Sequence, residues 1–173
     1  MSPPPDTELV CLSNHSYATY SGMLPAVLAQ QRSEEEMQID LVKLCAAASA
    51  RLITSPIKTI DPKAQVISFD DRPSLSYDLL SIGVGSVTSP IDTDPNDPNF
   101  IAIKPMQTFL QRLKDQLANV RERNPRQEMK ILVVGGGVAS VEIALCLPAF
   151  LKQHMVNPFK IQLITSQIGR AHV

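Results

Sequence analysis

Hydrophobic and polar residues follow two repeating patterns along the chain, one with the period of a strand and one with the period of a helix. Residues 65–69 alternate between apolar and polar positions, as a half-buried strand does, and they follow a turn at Asp61-Pro62-Lys63. Together with the extended segment 57–60, they predict an antiparallel hairpin. Further short strands are expected at residues 8–12, 51–54, 77–82 and 100–103.

Two longer segments repeat their apolar residues every three or four positions, which is typical of amphipathic helices. The first follows a capping box, in which Ser33 precedes Glu36 by three residues, and it predicts a helix over about residues 34–50. The second covers residues 109–120 and ends near the charged segment 121–126, whose composition is typical of a joint between domains.

The remaining strong pattern is a strand, a glycine turn, a helix and a second strand in immediate succession. Residues 129–134 form a continuous apolar run, and the turn Gly135-Gly136-Gly137 follows it. Residues 138–147 then have helical periodicity, and residues 160–165 form a second strand. This order predicts a β-α-β unit of the kind that binds dinucleotides.

The glycines of this turn have physical roles in that interpretation. Gly135 permits the tight turn, and Gly137 lets a pyrophosphate approach the helix N-terminus, where unpaired N–H groups and the helix dipole favour an anion. Ser140 occupies the third glycine position and is small enough for close packing of helix and strand. An alternative interpretation is an ordinary α/β turn whose glycines only end the strand. The residue that distinguishes NADH from NADPH is expected at or beyond Ser166.

Composition and charge narrow the possible classes of protein. The 16 basic and 17 acidic residues give a net charge of −1, so no field favours binding to nucleic acid. No signal peptide or transmembrane segment is predicted, and an intracellular protein is expected. Cys11, Cys45 and Cys146 form no C-x-x-C pair, and each is expected to be a small buried hydrophobic residue. The three histidines share no ligand spacing, so no metal site is predicted.

Three segments, taken together and in their order, resemble one family of enzymes. They are Tyr20-Ser21-Gly22-Met23-Leu24-Pro25, residues 77–86 with the sequence YDLLSIGVGS, and residues 133–142 with the sequence VVGGGVASVE. The family is that of the FAD-dependent pyridine nucleotide-disulphide oxidoreductases. The segments resemble in particular the group of type II NADH dehydrogenases and sulfide:quinone reductases, and within it the branch associated with selenide, water dikinase. The resemblance covers about residues 8–165.

The resemblance implies an α/β fold, namely part of a flavoprotein with two Rossmann-like dinucleotide-binding domains and a small antiparallel hairpin or meander. Residues 1–104 would form part of an FAD-binding domain without its first βα unit, and residues 105–167 part of an NAD(P)H-binding domain. Such an enzyme passes hydride from NAD(P)H to FAD and electrons on to an acceptor such as a quinone, so the cofactors carry the chemistry. The membrane attachment and the oligomeric state of the parent enzyme are left open.

Two classes of protein remain as alternatives to this enzyme. One is a non-catalytic nucleotide-binding module derived from such an enzyme. The other is a single Rossmann domain of the methyltransferase or dehydrogenase type, which explains neither residues 20–25 nor residues 77–86.

The resemblance also implies which residues contact the cofactors. A loop near the flavin would consist of Tyr20, Ser21, Gly22, Leu24 and Pro25. Backbone would be presented to FAD by Gly83, Gly85 and Ser86, in place of the family's more usual Ala-Thr-Gly. NAD(P)H would be held by Gly135, Gly136, Gly137, Val138, Ala139, Ser140 and Glu142. The alternatives for the first two sets are structural, a loop that leads into a helix and an ordinary turn at the end of a strand.

Several features of the family are absent from these 173 residues. The family's first strand and its glycine-rich FAD fingerprint do not occur before residue 8, and Ser13-Asn14 occupy the place of its acidic ribose-binding residue. We therefore expect the sequence to be a fragment that does not hold FAD and is inactive by itself. No redox cysteine motif occurs, which favours direct electron transfer from flavin to acceptor. Residues 168–173 resemble the translation of a sequencing adapter and are expected to be an artefact.

Overall fold

The computed structural model describes residues 5–86, 94, 97–123, 127–155 and 157–165. In this part of the chain the strands are β1 (Val10–Ser13), β2 (Tyr17–Thr19), β3 (Gln38–Asp40), β4 (Arg51–Thr54), β5 (Thr59–Asp61), β6 (Val66–Ser68), β7 (Leu75–Ser76), β8 (Met129–Val134) and β9 (Phe159–Ile164). The helices are α1 (Leu24–Leu28), α2 (Leu41–Ala47), α3 (Met106–Arg123) and α4 (Val138–His154). The first of two compact units contains the described residues of Met1–Thr19 and Gln38–Gly85, and the second those of Tyr20–Met37 and Ser86–Val173. The expected adapter-derived tail at 168–173 and the position at Ser166 lie outside the described residues.

A β-α-β crossover organises the first unit. β1 and β4 pair in parallel, with Val10 opposite Arg51 and Ser13 opposite Thr54. Parallel strands need a long connection, and α2 lies within it and packs on β4. β2 and β3 form a separate antiparallel pair. The strands expected near residues 8–12 and 51–54 are confirmed.

An antiparallel meander of β5, β6 and β7 completes the first unit. The turn between β5 and β6 is held by Asp61, whose Oδ1 accepts hydrogen bonds from the backbone N–H groups of Lys63 and Ala64, each at 2.9 Å. An aspartate side chain that bonds to its own turn in this way replaces backbone pairing lost at the bend. The alternation along residues 65–69 buries Ile67 and Phe69. The predicted hairpin is therefore confirmed, and a third strand extends it.

The helix predicted over residues 34–50 is wrong in its first half. The capping box is present, since Ser33 N–H donates to Glu36 Oε2 at 2.8 Å and Glu36 N–H donates to Ser33 Oγ at 3.3 Å. It caps only one 3₁₀ turn, Glu35–Met37, after which the chain extends into β3. The backbone of β3 pairs with β2, and that non-local pairing overrides the local helical pattern. The true helix, α2, begins after Asp40, whose Oδ1 accepts the Lys43 N–H at 3.0 Å.

Replacing Asp40 by alanine is expected to lower the melting temperature by roughly 2–4 °C, because the loss of an N-cap leaves a backbone N–H unpaired. The same hydrogen bond from Lys43 N–H is the main reason that the pKa of Asp40 is lowered from its ordinary value. The stabilisation is therefore present above the ordinary pKa of aspartate and is lost as the pH falls through the lowered value. Thermal melts of D40A and of the uncharged cap D40N across acidic pH measure both effects. Equal melting temperatures for wild type and D40A at neutral pH would contradict this assignment.

Two further strands expected from the sequence do not form. Residues 77–82 pair with no strand among the described residues. Tyr77 N–H donates to Gln65 O at 3.0 Å, and the Gln65 side chain donates through Nε2 to Asp78 O at 3.2 Å. Leu79 is 91% exposed and Ile82 is 64% exposed, so these two side chains are largely unpacked. A strand is stable only where a neighbour satisfies its backbone groups, which sequence pattern alone does not test. Residues 100–103 are irregular and instead place two isoleucines against the core of the second unit.

The second unit is built on a parallel β-α-β unit covered by helices. β8 and β9 pair in parallel, with Met129 opposite Phe159 and Val134 opposite Ile164, and α4 connects them. α1 packs on α4, and α3 contributes one face of the core. The buried residues of this core are Leu24, Val27, Leu28, Met37, Met106, Phe109, Leu110, Leu113, Leu117, Ile143, Leu147, Phe150, Leu151 and Met155. The strand, turn, helix and strand expected from residue 129 onward are confirmed, as is the helix near residues 109–120.

Helix α4 continues seven residues beyond its expected end at Leu147, through Pro148, to His154. A proline inside a helix removes one backbone hydrogen bond and is normally unfavourable. Burial of Phe150 (1% exposed) and Leu151 (0% exposed) just after the proline offsets that cost, since burying such a side chain contributes about 1.5–3 kcal/mol. Tertiary packing therefore extends the helix past a residue that, read locally, would end it.

Candidate functional site

The glycine turn joins β8 to α4 with a backbone conformation that requires glycine at its first position. Gly135 has φ of +135°, a region that other residues rarely adopt. Its N–H donates to Ile164 O at 2.8 Å and so continues the pairing of β8 with β9 by one residue. The turn therefore begins directly at the sheet edge, at the carboxyl end of both parallel strands.

Ser140 packs against Gly135 across this turn. A Cβ atom placed on Gly135 would lie 2.5 Å from Ser140 Oγ, well inside van der Waals contact. The serine at the third glycine position is therefore accommodated because the first position has no side chain. This contact keeps the first turn of α4 close to the end of β8, as the sequence predicted for a small residue at position 140.

The N-terminus of α4 is open to solvent and has no side-chain cap. Gly137 is the N-cap residue, with φ of −76° and ψ of 164°, and a Cβ placed on it would meet no atom within 4 Å. Its carbonyl accepts the Ser140 and Val141 N–H groups at 3.1 and 3.3 Å. The N–H groups of Val138 and Ala139 precede these and have no acceptor within the helix. With Gly136, Gly137 and Val138 exposed, the turn presents donors and the positive end of a helix dipole to an incoming anion.

Glu142 is exposed in the first turns of α4, three residues after the last of these N–H donors, Ala139. Its neighbour Ile143 points into the core and helps to fix the helix on the sheet. The seven residues expected to hold NAD(P)H therefore lie within positions 135–142 and, apart from the half-buried Gly135 and Ser140, are exposed.

Residues 20–25 form the entry to α1 in the second unit. Tyr20 N–H donates to Met37 O at 2.8 Å, and Ser21–Met23 is a 3₁₀ turn. Tyr20, Ser21 and Gly22 are exposed, and the tyrosine ring lies so close to Gly22 that a Cβ there would be 3.2 Å from it. Leu24 is 2% exposed in the core beside α4, so packing accounts for it, and Pro25 occupies the first turn of α1.

Gly83, Gly85 and Ser86 are exposed and lie in an irregular segment. Gly85 has φ of +72°, which favours glycine, whereas Gly83 does not have a positive φ. A Cβ on either glycine would meet no atom within 4 Å. Gly83 and Gly85 belong to the first unit, and Ser86 is assigned to the second.

Cys11 and Cys45 lie in one β-α-β crossover of the first unit. Cys11 is half-buried on β1, and Cys45 is buried on α2. Burial, together with the neighbouring Cys45, raises the pKa of the Cys11 thiol above its ordinary value. Cys146 lies in the second unit.

Other site types have little support in the part of the chain that the structure describes. No group of three or more histidine, cysteine, aspartate or glutamate side chains there could hold a metal ion. Likewise, none of the described helices combines the length and apolarity needed to cross a bilayer.

A cleft of about 250 Å³ lies in the second unit, away from the glycine turn. Its lining includes Arg32, Glu34, Lys114 and His154, and the ion pair of Lys114 Nζ with Glu34 Oε1, at 2.5 Å, spans part of it. His154 ends α4 and Val138 begins it, which places the two sites about 24 Å apart at 1.5 Å per helical residue. The cleft is therefore separate from the candidate nucleotide site.

No protein-family model matches the chain. Solved structures do match it. The sulfide:quinone oxidoreductase from Aquifex aeolicus matches 95% of the chain at 21% identity, with a TM-score of 0.70. NDH2 from Plasmodium falciparum in complex with NADH matches 91% at 15% identity, also with a TM-score of 0.70. The NADH:rubredoxin oxidoreductase from Clostridium acetobutylicum matches 90% at 16% identity, with a TM-score of 0.62.

The chain spans 38%, 43% and 38% of the lengths of these three proteins, respectively. All three are FAD-dependent pyridine nucleotide-disulphide oxidoreductases, the family that the three sequence segments resemble. At this level of identity the likeness establishes the fold. The chain therefore has an α/β fold that corresponds to part of a Rossmann-like flavoprotein, with the antiparallel meander included.

Proposed function

We propose that this chain is part of an FAD-dependent NAD(P)H oxidoreductase, which passes hydride from nicotinamide to flavin and electrons on to an acceptor such as a quinone. The observation that carries the proposal is the glycine turn at the carboxyl ends of β8 and β9. There Gly135 has a glycine-only backbone conformation, and the uncapped N-terminus of α4 faces solvent. Ligands of α/β sheets bind at this edge, outside the carboxyl ends of the strands.

The turn residues would bind the pyrophosphate of NAD(P)H through backbone atoms. Gly136, Gly137, Val138 and Ala139 supply N–H groups at the start of α4, where the helix dipole adds to their attraction for an anion. Gly137 has no side chain to block that approach. Gly135 and Ser140 pack against each other and fix the conformation of the turn. Glu142 lies farther along the exposed side, where it would face the rest of the nucleotide.

The flavin contacts would come from the two other segments. Within residues 20–25, Tyr20, Ser21 and Gly22 are exposed and accessible to a cofactor. Leu24 packs in the core and anchors the segment, and Pro25 lies in the first turn of α1. Gly83, Gly85 and Ser86 are exposed and would present backbone to FAD. The bound cofactors supply the hydride and electron chemistry, and these residues bind and orient them.

A quinone is the acceptor that the comparisons favour. The Aquifex neighbour is named as a sulfide:quinone oxidoreductase, and NDH2 of Plasmodium was solved with NADH bound. Since both share the fold of the chain, the proposed route runs from NAD(P)H through flavin to a quinone. A rubredoxin, the partner named for the Clostridium neighbour, is the competing acceptor.

Binding of NADH or NADPH to the chain, followed by calorimetry, tests the nucleotide site. Replacing Gly137 by valine is expected to weaken binding by roughly tenfold or more, because the side chain would displace a pyrophosphate from charge-assisted hydrogen bonds worth about 1.5–3 kcal/mol each. Gly83→Val serves as the matched control, since this glycine is also exposed and without a positive φ but lies in the other unit. Circular dichroism checks that both variants fold.

If wild type and G137V bind both nucleotides with equal affinity, the glycine turn is not the nucleotide-binding site. A second measurement, made on the longer parent protein with FAD bound, separates an enzyme from a binding module: NADH or NADPH is added, and flavin absorbance is followed. Bleaching supports an oxidoreductase. Nucleotide binding without bleaching identifies a non-catalytic nucleotide-binding module instead.

A further inference from the structure

Helix α4 has apolar side chains on its solvent side as well as on its core side. Ile143, Leu147 and Phe150 belong to the core of the second unit. On the opposite side, Val138 is 76% exposed and Leu145 is 75% exposed. A surface helix normally places charged or polar residues on the side that faces water. The exposed apolar residues of α4 therefore form a surface that is suited to a partner.

These apolar residues follow one line along the helix, which we call the outer stripe of α4. It consists of the exposed Val138, Val141 and Leu145 and the half-buried Ala149. At about 100° per residue, the first, third and fourth of them point within about 40° of one another. Helix α3 covers the same core but has Gln111 and Asp115 at exposed positions. The outer stripe is therefore a particular property of α4.

Two residues of opposite charge flank the outer stripe. Glu142 and Lys152 are both exposed and lie about 40° to either side of the line of the stripe. Neither forms an ion pair within the described part of the chain. The midpoint of these two residues along the helix is position 147, which is also the midpoint of Leu145 and Ala149. One symmetry axis at that level can therefore pair both sets of residues.

We propose that the outer stripe of α4 binds the same stripe of a second copy of the chain, in an antiparallel pair about a two-fold axis at the level of position 147. Leu145 of each copy then packs on Ala149 of the other, a large side chain against a small one. Glu142 of each copy faces Lys152 of the other. A crossing angle of about 20°, which is common in helix bundles, moves these oppositely charged flanks towards each other. The proposal goes beyond nucleotide binding and does not depend on it.

The size of this contact indicates a weak dimer. Stable complexes bury about 1,200–2,000 Å² of surface in total, and two helices in contact along about three turns bury less. We therefore expect dimers to form only above roughly 10 µM. The contact is isologous, so every pair of residues in it occurs twice. A single substitution in the outer stripe therefore changes two contacts, which makes the dimer sensitive to it.

Sedimentation velocity of the 173-residue protein, from roughly 1 to 500 µM, measures the monomer–dimer equilibrium. Leu145→Gln should weaken the dimer by roughly tenfold or more, because it buries an amide without a partner at both symmetric contacts. Leu132→Gln is the matched control. Leu132 is also an exposed leucine of the second unit, at 54%, but it lies on β8, so this variant should dimerise as wild type does. Circular dichroism checks that both variants fold.

Exchange of the two charges tests the antiparallel orientation. Glu142→Lys alone and Lys152→Glu alone each place like charges at both contacts, so each variant should dimerise roughly tenfold more weakly than wild type. An equimolar mixture of E142K and K152E restores opposite charges at both contacts and should dimerise about as tightly as wild type, which also shows that both variants fold. Glu142 borders the proposed nucleotide site, so these variants are compared by sedimentation alone.

The orientation of the helices decides what the single variants do. In a parallel pair, Glu142 would already face Glu142 of the second copy in the wild type, and neither single variant would be weaker. Single variants as tight as wild type would therefore overturn the proposal. A monomer over the whole range of concentration, or a dimer that L145Q leaves intact, would overturn it as well.

Discussion

Replacing Gly135 by alanine is expected to destabilise the second unit by about 1–3 kcal/mol, the cost of holding a residue with a side chain in a sparsely populated backbone conformation. The φ of +135° at this position is set by the junction of β8 with α4, where Gly135 N–H still pairs with Ile164 O. The turn cannot relax without breaking that bond or moving the helix. A fall in melting temperature of roughly 2–10 °C follows for a chain of this length.

The loss should come mainly from the backbone and only partly from the clash with Ser140. The Ser140 hydroxyl, 2.5 Å from an added Cβ, ends a short side chain that can rotate away, and its Cβ is 3.5 Å distant. Removing the hydroxyl in the double variant G135A/S140A should therefore restore only a minor part of the stability. A double-mutant cycle separates the two contributions.

Two glycines in the other unit are matched controls for this substitution. At Gly83 an added Cβ would contact no atom, and the backbone φ is not positive. Gly83→Ala should therefore leave the free energy of unfolding nearly unchanged. Gly85 has φ of +72° but open surroundings, so G85A should have an intermediate effect. The chain has no tryptophan, so circular dichroism is the suitable probe of unfolding. Equal stability of G135A and G83A would show that the turn tolerates a side chain.

The parts of the fold that sequence predicted correctly are those in which local pattern and tertiary packing agree. The continuous apolar run locates the parallel strand β8, although its alternate residues Leu132 and Val134 are exposed. Three glycines followed by a helical pattern locate the turn to the residue. The meander was also predictable, because Asp61 stabilises its own turn by side-chain hydrogen bonds that need no distant partner.

The errors arose where a distant partner decides the structure. Residues 38–40 became a strand because β2 pairs with them, although their spacing fits a helix. Residues 77–82 have the composition of a strand, but no strand pairs with them among the described residues, and they stay irregular. The helix beyond Pro148 exists because Phe150 and Leu151 are buried. Strand pairing and core packing depend on residues distant in sequence, so the hydrophobic periodicity of a single segment does not predict them.

The candidate site was predictable in its position and less so in its details. The sequence located the glycine turn and the small residue at position 140, but it did not show that Ser140 fits against Gly135 as a complementary pair. It also grouped Leu24 with cofactor contacts, while the structure places this side chain in the core. The sequence also did not show that Cys11 and Cys45 share one β-α-β crossover, because the pairing of β1 with β4 is a property of the fold.

Replacing Gly137 by aspartate is expected to change stability and nucleotide affinity in opposite directions. The N-cap conformation at Gly137 is extended, which is the geometry in which an aspartate accepts an N–H group of the first turn. The cap and its charge near the helix N-terminus should stabilise the second unit by about 0.5–1 kcal/mol. The same carboxylate would occupy the N–H groups proposed for the pyrophosphate and repel it, which should weaken NAD(P)H binding by roughly a hundredfold.

The variant G137N separates the effect of the negative charge from the effect of capping the helix. G137N should gain similar helix stability, because asparagine caps as well as aspartate, but it should lose less affinity, because no charge opposes the pyrophosphate. Added salt should narrow the difference in affinity between G137D and G137N, since screening weakens the repulsion. Calorimetric titration with NADH and NADPH, combined with thermal melts, measures both quantities on the same samples. If G137D gains stability and its affinity for both nucleotides equals that of wild type, the turn serves only to connect β8 and α4.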